Sequence, residues 1–437
     1  MMARYWEPNI ELMLKEDLKS LQLKRLRYML NYVYQNSKFY RNRFNENKVT
    51  PNDFNSLDDL VKYPFTTKDD LRLYSYPYGG EFLCVPRDEL ICWHITSGTT
   101  GKPTVGPYTY KDYETWMNIM ARCYVAAGVW KGDIVMNIYG YGLFTGGLGF
   151  HQSASYVGAS VIPWSVGRTE AMIETMKDFK VTVLTGTPSY QYYICQLLKE
   201  KNVNPETDLN LRVTLPGAEI WSDSMRKRIE EGLALRQHGG GARNVYGATE
   251  LCGPGAGIEC IYEKGFHFWT DHWYLEVIDP KTLDPVEPGE EGEMVITHLT
   301  RQGMPLIRYR MRDLTVIDDE ACECKRRSFP RLKWIRGRVD DVIHFKGTKI
   351  YPSLIQQVLL EFGGIDEYQV VVDKNVMPYR FIIKIEGDIN EKRKEILKKE
   401  LANAIYIHSE VEIVPLGSLP RFEGKAKRIT VYESKEL

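Results

Sequence analysis

The segment Thr96-Ser97-Gly98-Thr99-Thr100-Gly101-Lys102-Pro103 alternates small hydroxyl residues with glycines, adds a lysine and stops at a proline. The apolar-leaning run Leu90-Ile91-Cys92-Trp93-His94-Ile95 leads into it and reads as a strand. Glycines let a backbone approach a ligand closely. Exposed N–H groups, hydroxyls and one lysine together suit a polyphosphate. The common P-loop places four residues between its glycines and Ser or Thr after the lysine. Here two residues separate Gly98 from Gly101, and Pro103 follows Lys102. Alone, the segment is equally a flexible Gly/Thr turn, so the rest of the chain decides its reading.

Downstream of this loop, helix and strand signals alternate. Residues 110–127 read as a helix, and 133–138, 159–163, 181–185 and 211–215 read as strands. A helical stretch near 169–179 and another opening after Gly186-Thr187-Pro188 separate them. This alternation predicts a mostly parallel sheet covered by helices. In such sheets ligands gather beyond the carboxyl ends of the strands. Upstream, residues 9–46 read as helical, with Leu12, Leu14, Leu18, Leu21, Leu23, Leu26, Met29 and Leu30 near helical spacing. Thr66 or Thr67 is a candidate helix cap. From about 268 to 335 the pattern shifts to short β segments, including 294–297 after the turn at 288–293. After Gly337-Arg338-Val339-Asp340-Asp341 a second unit begins, with strands over 369–372, 381–385 and 411–414 and helices over 352–361 and 390–404. The expected fold is α/β: a large N-terminal domain, 1–339, with parallel strands covered by helices and a β-rich subdomain, then a small α+β domain, 340–437.

Composition narrows the function classes. The chain has 437 residues, 43% of them hydrophobic, and a formal net charge of -1. That balance is ordinary for a globular protein with a large core and argues against nucleic acid or a membrane surface as a partner. No apolar run is long enough to cross a bilayer. Met1-Met2-Ala3-Arg4-Tyr5-Trp6-Glu7-Pro8 lacks the apolar core of a signal peptide, so a cytoplasmic location is expected. Eight cysteines scattered over a long chain do not suggest a disulfide framework.

Four further stretches fit the chemistry of the opening loop. They are Tyr246-Gly247-Ala248-Thr249-Glu250, Tyr309-Arg310-Met311-Arg312-Asp313, Gly337-Arg338-Val339-Asp340-Asp341, and Leu419-Pro420-Arg421-Phe422-Glu423-Gly424-Lys425. In this order, with the loop at 96–103, they resemble the adenylate-forming superfamily of acyl-CoA synthetases over nearly the whole chain. Tyr141-Gly142-Leu143-Phe144-Thr145-Gly146-Gly147 narrows the resemblance to the phenylacetate–CoA ligase group.

The resemblance implies a role for each stretch. The substrates would be ATP, an aryl acid and coenzyme A, with Mg²⁺ on the phosphates. A carboxylate must attack the α-phosphate of ATP, so catalysis is mainly positioning and charge neutralisation. Thr96, Ser97, Gly98, Thr99, Thr100, Gly101 and Lys102 would hold phosphate. Gly217, Ala218 and Glu219 with Tyr246, Gly247, Ala248 and Thr249 would flank adenine. Asp313 would accept from both ribose hydroxyls, Arg338 would be a further ATP-binding residue, and Glu250 would hold Mg²⁺, which takes few carboxylates. Lys425 would place a cation on the charge developing between carboxylate and α-phosphate. Asp340 would be a hinge that lets the C-terminal domain take one arrangement for each half-reaction. Tyr139, Phe144 and Gly147 would line the acid pocket.

Plainer readings stand beside these. Glu250 is also a candidate capping carboxylate, Asp313 a turn residue, and Lys425 part of a solvated basic tail with Lys427 and Arg428. Tyr139 and Phe144 are equally core aromatics. Cys260, His267, Cys322 and Cys324 make a candidate closed zinc site, with His272 as an alternative to His267 and unligated thiols as the plain reading. The expected activity is ATP-dependent ligation of phenylacetate or a close relative to coenzyme A through an acyl-adenylate. The alternatives are an adenylating enzyme with another acceptor, such as a deazaflavin, and a non-catalytic nucleotide-binding protein. A homodimer is the assembly to test.

Overall fold

Strand Val183–Gly186 has every residue buried, as does its neighbour Val213–Pro216, and both run as short apolar stretches without alternation. That is the signature of strands covered on both faces. They lie inside a parallel sheet in the order Ser160–Pro163, Ile134–Asn137, Val183–Gly186, Val213–Pro216, Gly241–Ala242. The sheet is the one the helix–strand alternation predicts. The computed structural model describes residues 3–96, 103–318, 320–339, 342–345, 348–422 and 426–433. Helices Thr169–Asp178, Pro188–Glu200 and Asp223–Gly232 bury Met172, Ile194 and Ile229 in one core with Leu184 of the sheet. A second core forms around helix Tyr110–Ala126, which buries Trp116, Met120 and Tyr124 together with Phe150 and Ile258.

Residues 245–338 supply a seven-stranded antiparallel sheet, in the order Trp273–Ile278, Glu291–His298, Tyr309–Asp318, Arg331–Arg338, Phe266–Phe268, Gly253–Glu259, Val245–Ala248. The two sheets meet where Gly217, just past strand Val213–Pro216, bridges to Val245. A Cβ on Gly217 would stand 2.5 Å from the Val245 carbonyl oxygen, so only glycine permits this approach. The C-terminal unit is a four-stranded sheet, Glu410–Val414, Arg380–Gly387, Ile365–Asp373, Ile429–Tyr432. Helices Pro352–Phe362 and Glu391–Ile405 join Leu359 and Leu397 to its own core.

The N-terminal helical region differs from its sequence reading. Helix Lys15–Asn36 is followed by Lys38–Glu46, and Leu12 and Leu14 lie outside both, 40% and 68% exposed. Ser37 breaks the run because its side chain accepts the Tyr40 N–H and caps the second helix. Of the two cap candidates, Thr67 is the cap, in a reciprocal pair with Asp70. The Thr66 hydroxyl instead donates to the Ile307 carbonyl at 2.7 Å, tying this region to the antiparallel sheet. Among the described residues no helix is long and apolar enough to cross a membrane.

Charge pairs anchor the first residues of the chain. Arg122, buried on the central helix, makes a two-point contact with Asp271 at 2.9 and 3.0 Å and reaches Glu7 at 2.6 Å. Arg326, fully buried, pairs with Glu11 at 2.7 Å. Asp271→Asn would leave Arg122 with only the peripheral Glu7 as anion. Breaking a buried pair on one side costs about 3 kcal/mol. Urea denaturation of Asp271→Asn is expected to read a loss of this size, and a loss below about 1 kcal/mol would place this network among the weak surface pairs.

Candidate active site

A cleft of about 900 Å³ opens where the parallel sheet, the antiparallel sheet and the C-terminal unit meet. Ala218, Glu219, Tyr246, Gly247, Ala248, Glu250 and Asp313 all line it. Their positions follow from local chain geometry. Gly217, Ala218 and Glu219 leave the carboxyl end of strand Val213–Pro216, where open α/β sheets bind ligands. Ala218 takes the left-handed region, with φ of 68°, which turns the chain sharply there. Tyr246 and Gly247 lie on strand Val245–Ala248, and a Cβ on Gly247 would meet the Gly253 carbonyl oxygen at 2.3 Å. Thr249 then begins a single 3₁₀ turn, Thr249–Leu251, that presents Glu250.

Polar contacts already order these side chains. The Tyr246 hydroxyl donates to Asp313 Oδ2 at 2.5 Å. The backbones of Asp313 and Arg338 face each other across paired strands. The Tyr309 hydroxyl donates to Glu250 Oε1 at 3.4 Å, and Lys68 Nζ lies 4.0 Å from the same oxygen. The sequence reading missed Lys68, since an isolated lysine in a capping helix carries no motif.

The phosphate-loop candidate is closed at its base. Strands Leu90–Ile95 and Val105–Thr109 form an antiparallel hairpin. The Thr96 N–H donates to the Thr104 carbonyl at 3.0 Å, and the Thr104 N–H donates to Thr96 Oγ1 at 3.0 Å. Ser97, Gly98, Thr99, Thr100, Gly101 and Lys102 lie outside the described residues, as do Asp340, Lys425 and the side chain of Arg338.

Around the acid-pocket candidates, a buried polar residue sets the geometry. Asn137 ends a central strand, fully buried, and donates to the Tyr141 hydroxyl at 2.7 Å and the Gly147 carbonyl at 2.8 Å. Its Oδ1 accepts from Thr185 Oγ1 at 2.6 Å. Tyr139 is buried and stacks on Phe150 with ring centroids 4.7 Å apart. Its burial raises the phenol's pKa. Phe144 is 52% exposed at the start of helix Thr145–Tyr156. A Cβ on Gly147 would come within 2.5 Å of the Gly140 carbonyl oxygen, whereas Gly140 and Gly142 face open space. A polar residue ending an otherwise apolar strand was the available signal for Asn137.

Cys260, His267, Cys322 and Cys324 are all buried, and their ligand atoms lie within 4.8 Å of one another. His272 is elsewhere, its Nδ1 hydrogen-bonded to Thr300 Oγ1 at 2.9 Å, and burial pushes its pKa down to about 3. The C-terminal unit docks against helix Asp223–Gly232 and the cleft. Leu360 joins the core around Ile194 and Ile229, and the Ser222 N–H donates to Gln356 Oε1 at 3.0 Å. Glu219 Oε2 accepts the Ser189 N–H at 3.1 Å, while its Oε1 accepts the Ala426 N–H at 2.5 Å.

Comparison with known proteins agrees with this layout. The family described as AMP-binding enzyme matches residues 34–300, and the AMP-binding enzyme C-terminal domain matches 347–431. A phenylacetate–coenzyme A ligase of Thermus thermophilus is 38% identical, covering 97% of this chain and 98% of its own. One from Pseudomonas putida is 39% identical, covering 94% and 93%. A 2-hydroxyisobutyryl-CoA ligase, solved in its postadenylation state with 2-HIB-AMP, superimposes with a TM-score of 0.91 at 26% identity, over 98% of this chain and 92% of its own. The same ligase in its thioesterification state, with 2-HIB-AMP and CoA, gives 0.74 at 27% identity, over 98% and 93%. The chain therefore belongs to the AMP-binding enzymes, in the group of the phenylacetate–coenzyme A ligases.

Proposed function

We propose that the protein is an AMP-forming acid–CoA ligase whose acid is phenylacetate or a close aryl relative. In the first step the acid's carboxylate oxygen attacks the α-phosphorus of ATP and pyrophosphate leaves. In the second, the thiolate of coenzyme A attacks the acyl carbonyl and AMP leaves. The observation that carries this reading is the cleft itself. It gathers Glu219, Tyr246, Glu250 and Asp313 on one side and Ala426, the neighbour of Lys425, on the other.

Each residue has a role that fits its surroundings. Asp313, oriented by Tyr246, accepts from the ribose hydroxyls. The backbone at Gly217 to Glu219 lies along one face of adenine and Tyr246 along the other. Residues 96–102 and Lys102 hold the β- and γ-phosphates over the closed hairpin base. Glu250, reached by Tyr309 and near Lys68, is the carboxylate that would hold Mg²⁺, and that ion would supply charge neutralisation on the phosphates. The open space beside Gly140 and Gly142 suits a flat ring, and Phe144 follows in the same loop. The domain boundary falls between 339 and 340, at the end of strand Arg331–Arg338, and Asp340 serves as the hinge.

Release of AMP across a panel of acids, with and without coenzyme A, tests the substrate class. Phenylacetate is expected to outperform acetate and long-chain acids. Phe144→Ala should raise the KM for phenylacetate about tenfold, roughly 1.4 kcal/mol, with less effect on acetate. Preference of the wild type for acetate would overturn the aryl assignment.

Lys425→Ala is expected to slow adenylate formation by about 100-fold or more, as loss of one transition-state charge contact does. Lys427→Ala should leave that step within about threefold, on the weaker footing of a solvated surface charge. Equal losses in the two variants would reject Lys425 as the catalytic lysine.

We also propose a structural Zn²⁺ at Cys260, His267, Cys322 and Cys324. Tetrahedral Zn–S bonds of about 2.3 Å place ligand sulfurs about 3.8 Å apart. Cys260 Sγ lies 3.6 Å from Cys322 Sγ, and Cys324 Sγ lies 3.2 Å from His267 Nε2. His267 Nδ1 is buried without a hydrogen-bond partner among the described residues. Four protein donors leave no open position, so the ion would stabilise the fold and take no part in the reaction. Elemental analysis of protein purified without chelators should find about one zinc per chain, and chelation should lower Tm. Metal-free protein of unchanged Tm would contradict the site.

A further inference from the structure

In the proposed function only the backbone of Glu219 is used, beside adenine, and its side chain is given no role. Its two carboxylate oxygens are nonetheless split between the two units of the protein. Oε2 accepts the N–H of Ser189, in the first turn of helix Pro188–Glu200, at 3.1 Å. Oε1 accepts the N–H of Ala426, on the C-terminal loop, at 2.5 Å. Ser189 makes a second link across the same gap, because Arg428 Nη1 donates to Ser189 Oγ at 2.9 Å. Arg428 is itself fixed within the C-terminal unit by Glu367, at 2.6 and 3.0 Å. Burial would lower the Arg428 pKa, but the hydrogen bonds it donates to Glu367 raise it above the usual value.

We propose that Glu219 is a positioning residue for the adenylation step. Its carboxylate, with Ser189, latches the C-terminal loop so that Lys425 is delivered into the cleft, and the latch opens before coenzyme A reacts. Adjacent Cα atoms are only about 3.8 Å apart, so fixing the backbone at Ala426 fixes the origin of the Lys425 side chain. The acceptor is charged and is preorganised by the helix N–H it already holds, which makes the bond to Ala426 a strong and directional one. The latch is also small. It consists of one backbone N–H and one side-chain contact, and contacts of that kind can be exchanged when a domain rotates about a short hinge. The overlay on the 2-hydroxyisobutyryl-CoA ligase points the same way: TM-score 0.91 with its postadenylation form and 0.74 with its thioesterification form, over the same 98% of the chain.

This inference rests on the reading of Lys425 as the adenylation lysine, so the experiment separates the two. Single-turnover rates are measured for adenylate formation and for thioester formation from preformed phenylacetyl-adenylate, in the wild type and in Glu219→Gln, Ser189→Ala and Lys425→Ala. Glu219→Gln keeps the shape and an acceptor oxygen but loses the charge. It should lower the ratio of adenylation to thioesterification rates about tenfold while the KM for ATP moves less than twofold. Ser189→Ala, which removes only the Arg428 contact, should lower the same ratio about threefold. A merely structural role for Glu219 would lower Tm and slow both steps alike, and that result, or an unchanged ratio beside a selectively impaired Lys425→Ala, would overturn the latch. Lys425→Ala slowing both steps equally would instead remove the catalytic reading beneath it.

Discussion

The approach of Gly217 to Val245 holds the site together. At that point the chain leaving an interior strand of the parallel sheet touches the first strand of the antiparallel one, with no room for a side chain. Everything that lines the cleft from the N-terminal side is placed relative to this contact. Upstream strands deliver Ala218 and Glu219 past their carboxyl ends. Downstream, Tyr246 to Glu250 follow within one strand and one turn. Any residue larger than glycine would wedge the sheets apart and widen the gap between the adenine face and the carboxylates. Gly247 repeats the constraint one step along, against Gly253.

The second organising feature is the mixed contact between the large and small units. Among the described residues Leu360 enters the N-terminal core, helix Pro352–Phe362 packs on helix Asp223–Gly232, and hydrogen bonds such as Ser222 to Gln356, Ser224 to Glu361 and Gln196 to the Asp366 carbonyl join the units. The C-terminal sheet carries its own core. A unit with its own core, docked in part through exchangeable hydrogen bonds, can change partners without unfolding. By contrast, the first residues of the chain are bound through buried pairs, Arg122 with Asp271 and Arg326 with Glu11. Buried pairs also stand beside the cleft, Arg226 with Glu259 and Arg428 with Glu367, each within one unit, while hydrogen bonds link the two units there.

Much of this was legible in the sequence because the informative signals were local. Short apolar runs between helical stretches marked four of the five parallel strands to within two or three residues. Glycines beside aromatics and carboxylates marked the cleft. The cluster of Cys260, His267, Cys322 and Cys324 was suggested by Cys322-x-Cys324 in a charged stretch, and the structure gathers the four buried side chains. The hidden features depend on contacts distant in sequence. Nothing near Ser37 announced that its hydroxyl would split an apparently continuous helix. Asn137 became an organiser only when Tyr141, Gly147 and Thr185 converged on it. The side-chain role of Glu219 was invisible because its partners, Ser189 and Ala426, lie on opposite sides of it in the chain and in different units.

The central claim is that an acid and ATP react in this cleft before coenzyme A is needed. Exchange of labelled pyrophosphate into ATP measures that step directly, because it requires reversible formation of an acyl-adenylate. The account predicts exchange that depends on phenylacetate, proceeds without coenzyme A and is abolished in Glu250→Gln. Exchange that requires coenzyme A, or nucleotide turnover that yields ADP in place of AMP, would contradict it.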